Sequence, residues 1–590
     1  MLEVTLYTGA RNILPDSLPV SMDNFGYNYT SFRPFGRFLR QTEDDPVGLI
    51  SWPGGSLAEN APDRYGLGYD DLWNDRFGFG LEDVFAAARA REAGVSIVLP
   101  TLPYLGREGD LQADVTRFID RLSGGDFGPL PRRLILEVGS EYYATFGPGV
   151  ESATTYGRLA EATVQALAGA LADPQVNPGG ILPEIAVQSG LSLEEDAAIR
   201  AELGQDSLRH VDLLIHHLFP LLNGGVDDSA ATLTATTEAW EQDMAAVGAP
   251  RPGVFLSSYN VASLTREEAL GLYVETQSAR GITVDPANID LTARSDTGFE
   301  RFWQDQMHLR DYGQEQPRVL MELHARVGAV GMEAASAYGI DLIHPGRLSF
   351  ADAAGQAQDF IGQETLDMLA ESTLDTRLLK MSLRNRAAND LWSVAYENDD
   401  KLVAFVGWED QPPGPVNIRV PGLMKGDYLT VRAESLTAQI PDDWMARFGI
   451  PDNPDVDESP ESHAYALGLR AGVDLRAVGG NLRFQATAED QMVRLVFAKT
   501  AAGEAEIAGW ATGDPLTLLP EPEEAPQPDA PPVPPPVVTA PPPVFPLPSV
   551  PMPEDSPDDP PEATDSGDGA DIGGVLGGAL LALGLFALAL

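Results

Sequence analysis

Between about residues 45 and 350 short apolar runs alternate with longer amphipathic stretches, and few folds accept that rhythm. A run of five or six apolar residues without polar alternation suits a strand buried on both faces, and the helical period between such runs supplies the cover. Strands are expected at 20–27, 47–52, 95–99, 134–138, 185–188, 211–216, 253–257 and 334–343. Helices are expected at 81–93, 110–122, 156–171, 231–246, 265–277 and 299–309. Eight strands with intervening helices over some 330 residues favour a closed (β/α)8 barrel over an open doubly wound sheet. No G-x-G-x-x-G follows a strand and no G-x-x-x-x-G-K is present. A nucleotide or nicotinamide cofactor is therefore not expected, and no other cofactor is implied.

After residue 378 the period shortens to two. The segments 391–396, 401–406, 416–420, 428–432 and 492–497 read as antiparallel strands, with Glu397-Asn398-Asp399-Asp400 as a hairpin turn. The expected organisation is a barrel over 1–377, a small antiparallel β-sandwich over 378–510, a proline-dense acidic linker over 511–571 and a hydrophobic segment over 572–590. Proline at that density keeps the linker extended and unpacked. As a helix the last segment would reach about 28 Å, near the thickness of a bilayer's hydrocarbon layer. It reads as a membrane anchor or as an uncleaved C-terminal export signal, and either places the protein outside the cytoplasm, at the cell surface or secreted. The N-terminus lacks the basic and apolar regions of a signal peptide.

Charge removes other classes of partner. With 88 acidic against 39 basic residues the formal charge is −49, which disfavours nucleic acid and anionic lipid surfaces. The absence of cysteine excludes disulfides, thiolate metal sites and a cysteine nucleophile. This composition suits an exported bacterial protein and an acidic cytosolic one equally.

The stretch Arg133-Leu134-Ile135-Leu136-Glu137-Val138-Gly139-Ser140-Glu141-Tyr142-Tyr143 carries the chemistry. An apolar strand ending in a carboxylate beside aromatics matches the place where barrel enzymes build their sites, the C-terminal ends of the strands. The plainer reading of Glu141 is an acid opening the next helix, where the dipole favours it. With Trp52-Pro53-Gly54-Gly55-Ser56-Leu57-Ala58-Glu59-Asn60 after strand two, the chain over about 20–500 resembles retaining glycoside hydrolases of the (β/α)8 clan, of the arabinofuranosidase and xylosidase kind.

The resemblance implies that Glu141 is the general acid/base, with Ser140 where an Asn is usual. In Gly253-Val254-Phe255-Leu256-Ser257-Ser258-Tyr259-Asn260-Val261 it sets Ser258 at the place of the nucleophilic Glu. Retention needs two carboxyls about 5–5.5 Å apart, so Ser258 would leave that mechanism without its nucleophile. Glu59 or Asp63 could stand in with an inverting geometry. Glu137 is expected deeper in the barrel, paired with a basic residue.

His216 and His217 are strand neighbours and point to opposite faces, so they do not form a metal site on one face. One of them is expected to line the cleft, and a hydrogen-bonded core histidine is the alternative. Tyr259 and Asn260 would stack on or bind a sugar, or fill core. Trp52, Glu59, Ser140 and Tyr142 complete the substrate-binding set that the resemblance implies; the turn at His344-Pro345-Gly346 is a weaker candidate. Two functions follow: a glycoside hydrolase acting on an oligo- or polysaccharide, or an inactive carbohydrate-binding surface protein.

Overall fold

The structure, a computed structural model, describes residues 2–518 apart from single or paired positions and the stretches 30–34, 54–58, 60–79, 221–224, 292–296, 341–345, 381–390 and 450–463. Asp63, His344, Pro345, most of the 52–60 motif and the segment 519–590, with its linker and hydrophobic end, lie outside the described residues. No helix among the described residues is long and apolar enough to cross a membrane.

The first strand, β1 (Leu2–Thr5), belongs to the second module. Eight parallel strands then close a barrel: β2 (Gly26–Asn28), β3 (Leu49–Trp52), β4 (Gly94–Leu99), β5 (Leu134–Val138), β6 (Glu184–Gln188), β7 (Leu213–Leu218), β8 (Gly253–Tyr259) and β9 (Met332–Ala337), with β9 pairing back to β2. Each lies at or within a few residues of its expected position. Their residues alternate between two environments. Leu49, Ile135, Ala186, Leu213, Ile215, Phe255 and Ala334 form one interior cluster. Ile50, Trp52, Val95, Ile97, Leu136, Val138, Leu214, Val254 and Leu256 pack in the larger cluster shared with the helices. Double burial is why these strands read as unbroken apolar runs.

Above the apolar interior layer the same parity brings in polar residues. The Ser51 and Ser336 hydroxyls lie 2.7 Å apart, and Asn28 Nδ2 donates to the carbonyls of Ser257 and Ser336 at 2.7 and 3.1 Å. Ser96 donates to Glu137 at 2.5 Å. Helix Val150–Ala172 is pinned over this layer by Tyr156, whose hydroxyl donates to the Val138 carbonyl at 2.6 Å and accepts from Gln188 N–H at 2.9 Å.

The opposite end of the barrel is closed by ions. Arg133, at the start of β5, bonds Glu184 at 2.6 and 3.0 Å and Asp23 at 3.1 Å, with Glu333 at 3.7 Å. Arg132 adds a second contact to Asp23.

The second module is a sandwich of a seven-stranded sheet, led by Leu391–Glu397, Lys401–Trp408, Gln491–Ala498 and Thr430–Gln439, and a four-stranded sheet in which β1 pairs with Pro415–Arg419. The hairpin at Asn398 forms, with Asn398 N–H on the Lys401 carbonyl at 3.0 Å. Three of the large sheet's central strands are buried along their whole length, since one face meets the smaller sheet and the other meets barrel helices through Phe25, Met321, Met368, Trp392 and Phe405.

Candidate active site at the C-terminal end of the barrel

The turn leaving β5 is built from two left-handed residues. Gly139 has φ 69° and Glu141 has φ 50°, and the short helix Tyr142–Thr145 starts from Glu141. At 139 only glycine fits. A Cβ there would stand 3.0 Å from both Thr101 and Tyr156 and 3.1 Å from Glu59 Oε1. At 141 a glutamate holds a conformation that favours glycine, a local cost found mostly at functional sites.

Glu59 fixes the surrounding loops. Its carboxylate accepts Thr101 N–H at 2.8 and 2.9 Å, the Thr101 hydroxyl at 2.9 Å, Leu102 N–H at 2.7 Å and Ser140 N–H at 3.3 Å. Burial pushes its pKa up to about 7, and the four donors hold it from going higher. With its oxygens spent on these donors, Glu59 is a clamp between the ends of β4 and β5, and not the open cleft carboxylate expected of it.

Glu141 itself is 1% exposed. Its Oε1 meets His217 Nδ1 at 3.2 Å, and its Oε2 has no hydrogen-bond partner among the described residues. His217 Nε2 meets the Ser257 hydroxyl at 2.7 Å. The Tyr143 hydroxyl stands 3.4 Å from Nδ1, and burial, then the neighbouring Glu141, hold that phenol well above its ordinary value. Beneath them the Ser257 hydroxyl also bonds Glu137, whose pKa is raised chiefly by burial and moderated by Ser96. Glu137 is thus partnered by serines, with His217 beyond them, and not by the basic residue expected.

Irregular pairing accompanies this geometry. The β7–β8 register shifts between His216 and His217, and the β8–β9 register slips between Leu256 and Tyr259. Such bulges re-aim side chains at strand ends. His217, in the inward row of Leu213 and Ile215, reaches Glu141, while His216 Nδ1 bonds Ser189 at 2.9 Å and burial pushes its pKa down to about 3. Parity decides between adjacent serines, since Ser257 continues the inward row of Phe255. The hydroxyl that reaches the Glu141–His217 pair is that of Ser257; Ser258, buried beside it, is Cα-paired with His217.

Other expected binding residues are engaged elsewhere. Trp52 is fully buried in the cluster shared with the helices. The Tyr142 hydroxyl contacts Glu195 and accepts from Leu191 N–H at 3.1 Å. Tyr259 is buried in core with Tyr27 and Tyr396 as its phenolic neighbours. Asn260, also fully buried, ties the carbonyls of Tyr338 and Gly346, both at 2.5 Å. Ser140 is buried with its N–H on Glu59. Tyr143 and Ser257 join the site unanticipated, with Glu137, expected deeper in the barrel, beside Ser257; strand parity from Phe255 would have marked Ser257 as inward. No group of three or more His, Asp or Glu among the described residues is arranged to hold a metal ion.

No protein-family model matches this sequence, and no curated protein does. Solved structures do. A family 51 α-L-arabinofuranosidase from Bifidobacterium longum is 12% identical and superposes with a TM-score of 0.53 over 84% of this chain and 99% of its own. A monomeric β-xylosidase from Caulobacter crescentus is 12% identical, with a TM-score of 0.47 over 85% of this chain and 100% of its own. A GH30 endoxylanase from Clostridium papyrosolvens is 11% identical, with a TM-score of 0.43 over 84% and 99%. At such identities the likeness is one of architecture. With its closed barrel and its trailing sandwich, the chain carries the (β/α)8 fold of glycoside hydrolases.

Proposed function

We propose that the protein engages an oligo- or polysaccharide at the C-terminal face of the barrel, that Glu141 is the group that gives and takes a proton there, and that it works without the two-carboxylate retaining mechanism. One observation carries this reading. Glu141 bonds His217, and His217 in turn bonds Ser257 on β8, where retention requires a second carboxylate. Glu137 lies behind Ser257 and the imidazole, and Glu59 is saturated by donors. A binding protein without turnover is the second reading, favoured by the burial of Glu141.

Initial rates on a panel of aryl glycosides, with calorimetric binding of oligosaccharides alongside, test both. Turnover of aryl pentosides near background, with saccharide binding that weakens in Glu141→Gln, is the expected result. Strong turnover destroyed by Glu141→Gln would reinstate a conventional glycosidase, and strong turnover surviving it would put the site elsewhere.

The segment 572–590 is proposed to hold the protein outside the cytoplasm, as an anchor or as an export signal. Deleting it should release protein from a membrane fraction in the first case and retain it in the cytosol in the second. Identical soluble distribution of both forms would defeat both.

A further inference from the structure

The Glu141–His217–Ser257 row has an order that proton donation by Glu141 alone does not need. A carboxylate oxygen stands 3.2 Å from imidazole Nδ1, and a serine hydroxyl stands 2.7 Å from Nε2 of the same ring. Nδ1–H donating to the carboxylate fixes the tautomer in which Nε2 offers its lone pair to the hydroxyl. That is the constellation by which serine hydrolases activate their nucleophile, and it is recognised by geometry whatever the fold or chain order. We infer that Ser257, His217 and Glu141 form a nucleophile, base and orienting carboxylate that cleave a small O-acyl ester.

Two surroundings bear on this. Glu137 touches the Ser257 hydroxyl from below, and its burial disfavours its charge. The Ser257 hydroxyl thus faces two groups, the Glu137 carboxyl below and His217 Nε2 at 2.7 Å. The Ser257 carbonyl is held by Asn28 Nδ2 at 2.7 Å where the β8–β9 ladder slips, so the serine sits on a fixed irregularity at the strand end. Space limits the acyl group. Ser257 is 2% exposed, and the layer around it is made of Asn28, Ser51, Ser96 and Ser336. An acetyl group suits such a site and a long acyl chain does not.

In the reaction the Ser257 oxygen bonds to the ester carbonyl carbon while its proton passes to His217 Nε2, and the imidazolium is held by Glu141 through Nδ1–H. Collapse of the tetrahedral adduct breaks the bond to the alcohol oxygen, which takes the proton from Nε2. Water then attacks the acyl-serine, gives a proton to Nε2, and the carboxylic acid leaves with Ser257 reprotonated. The sum is ester plus water giving acid plus alcohol. Taking the alcohol to be a sugar hydroxyl rests on the carbohydrate reading above; the acyl chemistry does not.

The test treats the full-length protein with a small dialkyl fluorophosphate and maps the adduct by mass spectrometry, beside hydrolysis of p-nitrophenyl acetate and p-nitrophenyl octanoate. Expected are an adduct on Ser257 and cleavage of the acetate but not the octanoate. Both activities should vanish in Ser257→Ala, and Glu141→Gln should slow acetate cleavage by about 10⁴-fold, because the wrong tautomer then faces the serine. Thermal melts check that each variant folds. A folded wild-type protein with no adduct and no acetate cleavage overturns the inference, as does an adduct that persists in Ser257→Ala. Saccharide binding is measured on the same samples. Labelling of Ser257 without saccharide binding defeats the carbohydrate reading alone, and binding retained without labelling defeats the triad alone.

Discussion

The two ends of the barrel are made from similar residue types and arranged to opposite effect. At the N-terminal end Arg133 meets Glu184, Asp23 and Glu333, and Arg132 returns to Asp23. At the C-terminal end Glu141 sits in a left-handed conformation with Oε2 unpartnered among the described residues, and His216 Nε2 is likewise unpartnered. Charges that answer one another close the barrel and do nothing further. Groups left partly unanswered, on a strained backbone, are available to a ligand.

Three substitutions press on this contrast. The largest effect is expected from Arg133→Ala, which strips Glu184 and Asp23 of their shared partner. Since the pairs are partly exposed, a loss of about 2–3 kcal/mol in urea unfolding is expected, below the range for fully buried pairs. Labelling of Ser257 should be unchanged; if it falls too, the two ends are not separable.

Glu59→Gln comes next, at about 2 kcal/mol, because the amide's NH2 turns a donor toward a cluster of donors. Here the pH dependence is specific. Folded Glu59 titrates at about 7 against an ordinary 4.5. Between those values the folded chain holds a proton that the unfolded chain has released, so this group's contribution to stability falls as pH rises from 4.5 toward 7. Urea midpoints measured across that window should decline less steeply in Glu59→Gln than in wild type. Equal slopes would mean that Glu59 is ionised throughout.

The smallest effect has the opposite sign. Glu141→Gly removes a side chain from a left-handed position and should raise stability by about 1 kcal/mol while abolishing the chemistry of the site. A loss of stability would show that the bond to His217 outweighs the backbone cost.

How far the sequence anticipates this molecule follows from what each residue faces. The eight barrel strands are legible because both their faces are buried, and the helices between them because only one is. Helix Tyr312–Gly328 escapes notice because Pro317 lies inside it, where proline ordinarily interrupts a helical pattern. Strand β1 escapes because its partner, Pro415–Arg419, lies some 400 residues away. In the site, Glu141 and His217 are visible as a strand-end carboxylate and a strand-end imidazole. The choice of Ser257 over Ser258 is legible only through strand parity with the inward-facing Phe255, against the alignment that sets Ser258 at the nucleophile's place. Trp52, Tyr142, Tyr259 and Asn260 have the residue types of a sugar-binding surface, and their neighbours in the fold are helices, Glu195 and backbone carbonyls.

The pairing of β1 with Pro415–Arg419 also gives the molecule a history. During synthesis Leu2–Thr5 emerges before the barrel and its partner only after the whole barrel has been made, so the strand waits through the making of the barrel with an open edge. The barrel meanwhile folds as a loop whose two ends have yet to meet, and the smaller sheet of the sandwich is the clasp that joins them. A ribosome that stalls before residue 415 therefore releases a barrel with an exposed sticky strand at its start, and a fragment that begins at 378 makes a sandwich with one strand missing.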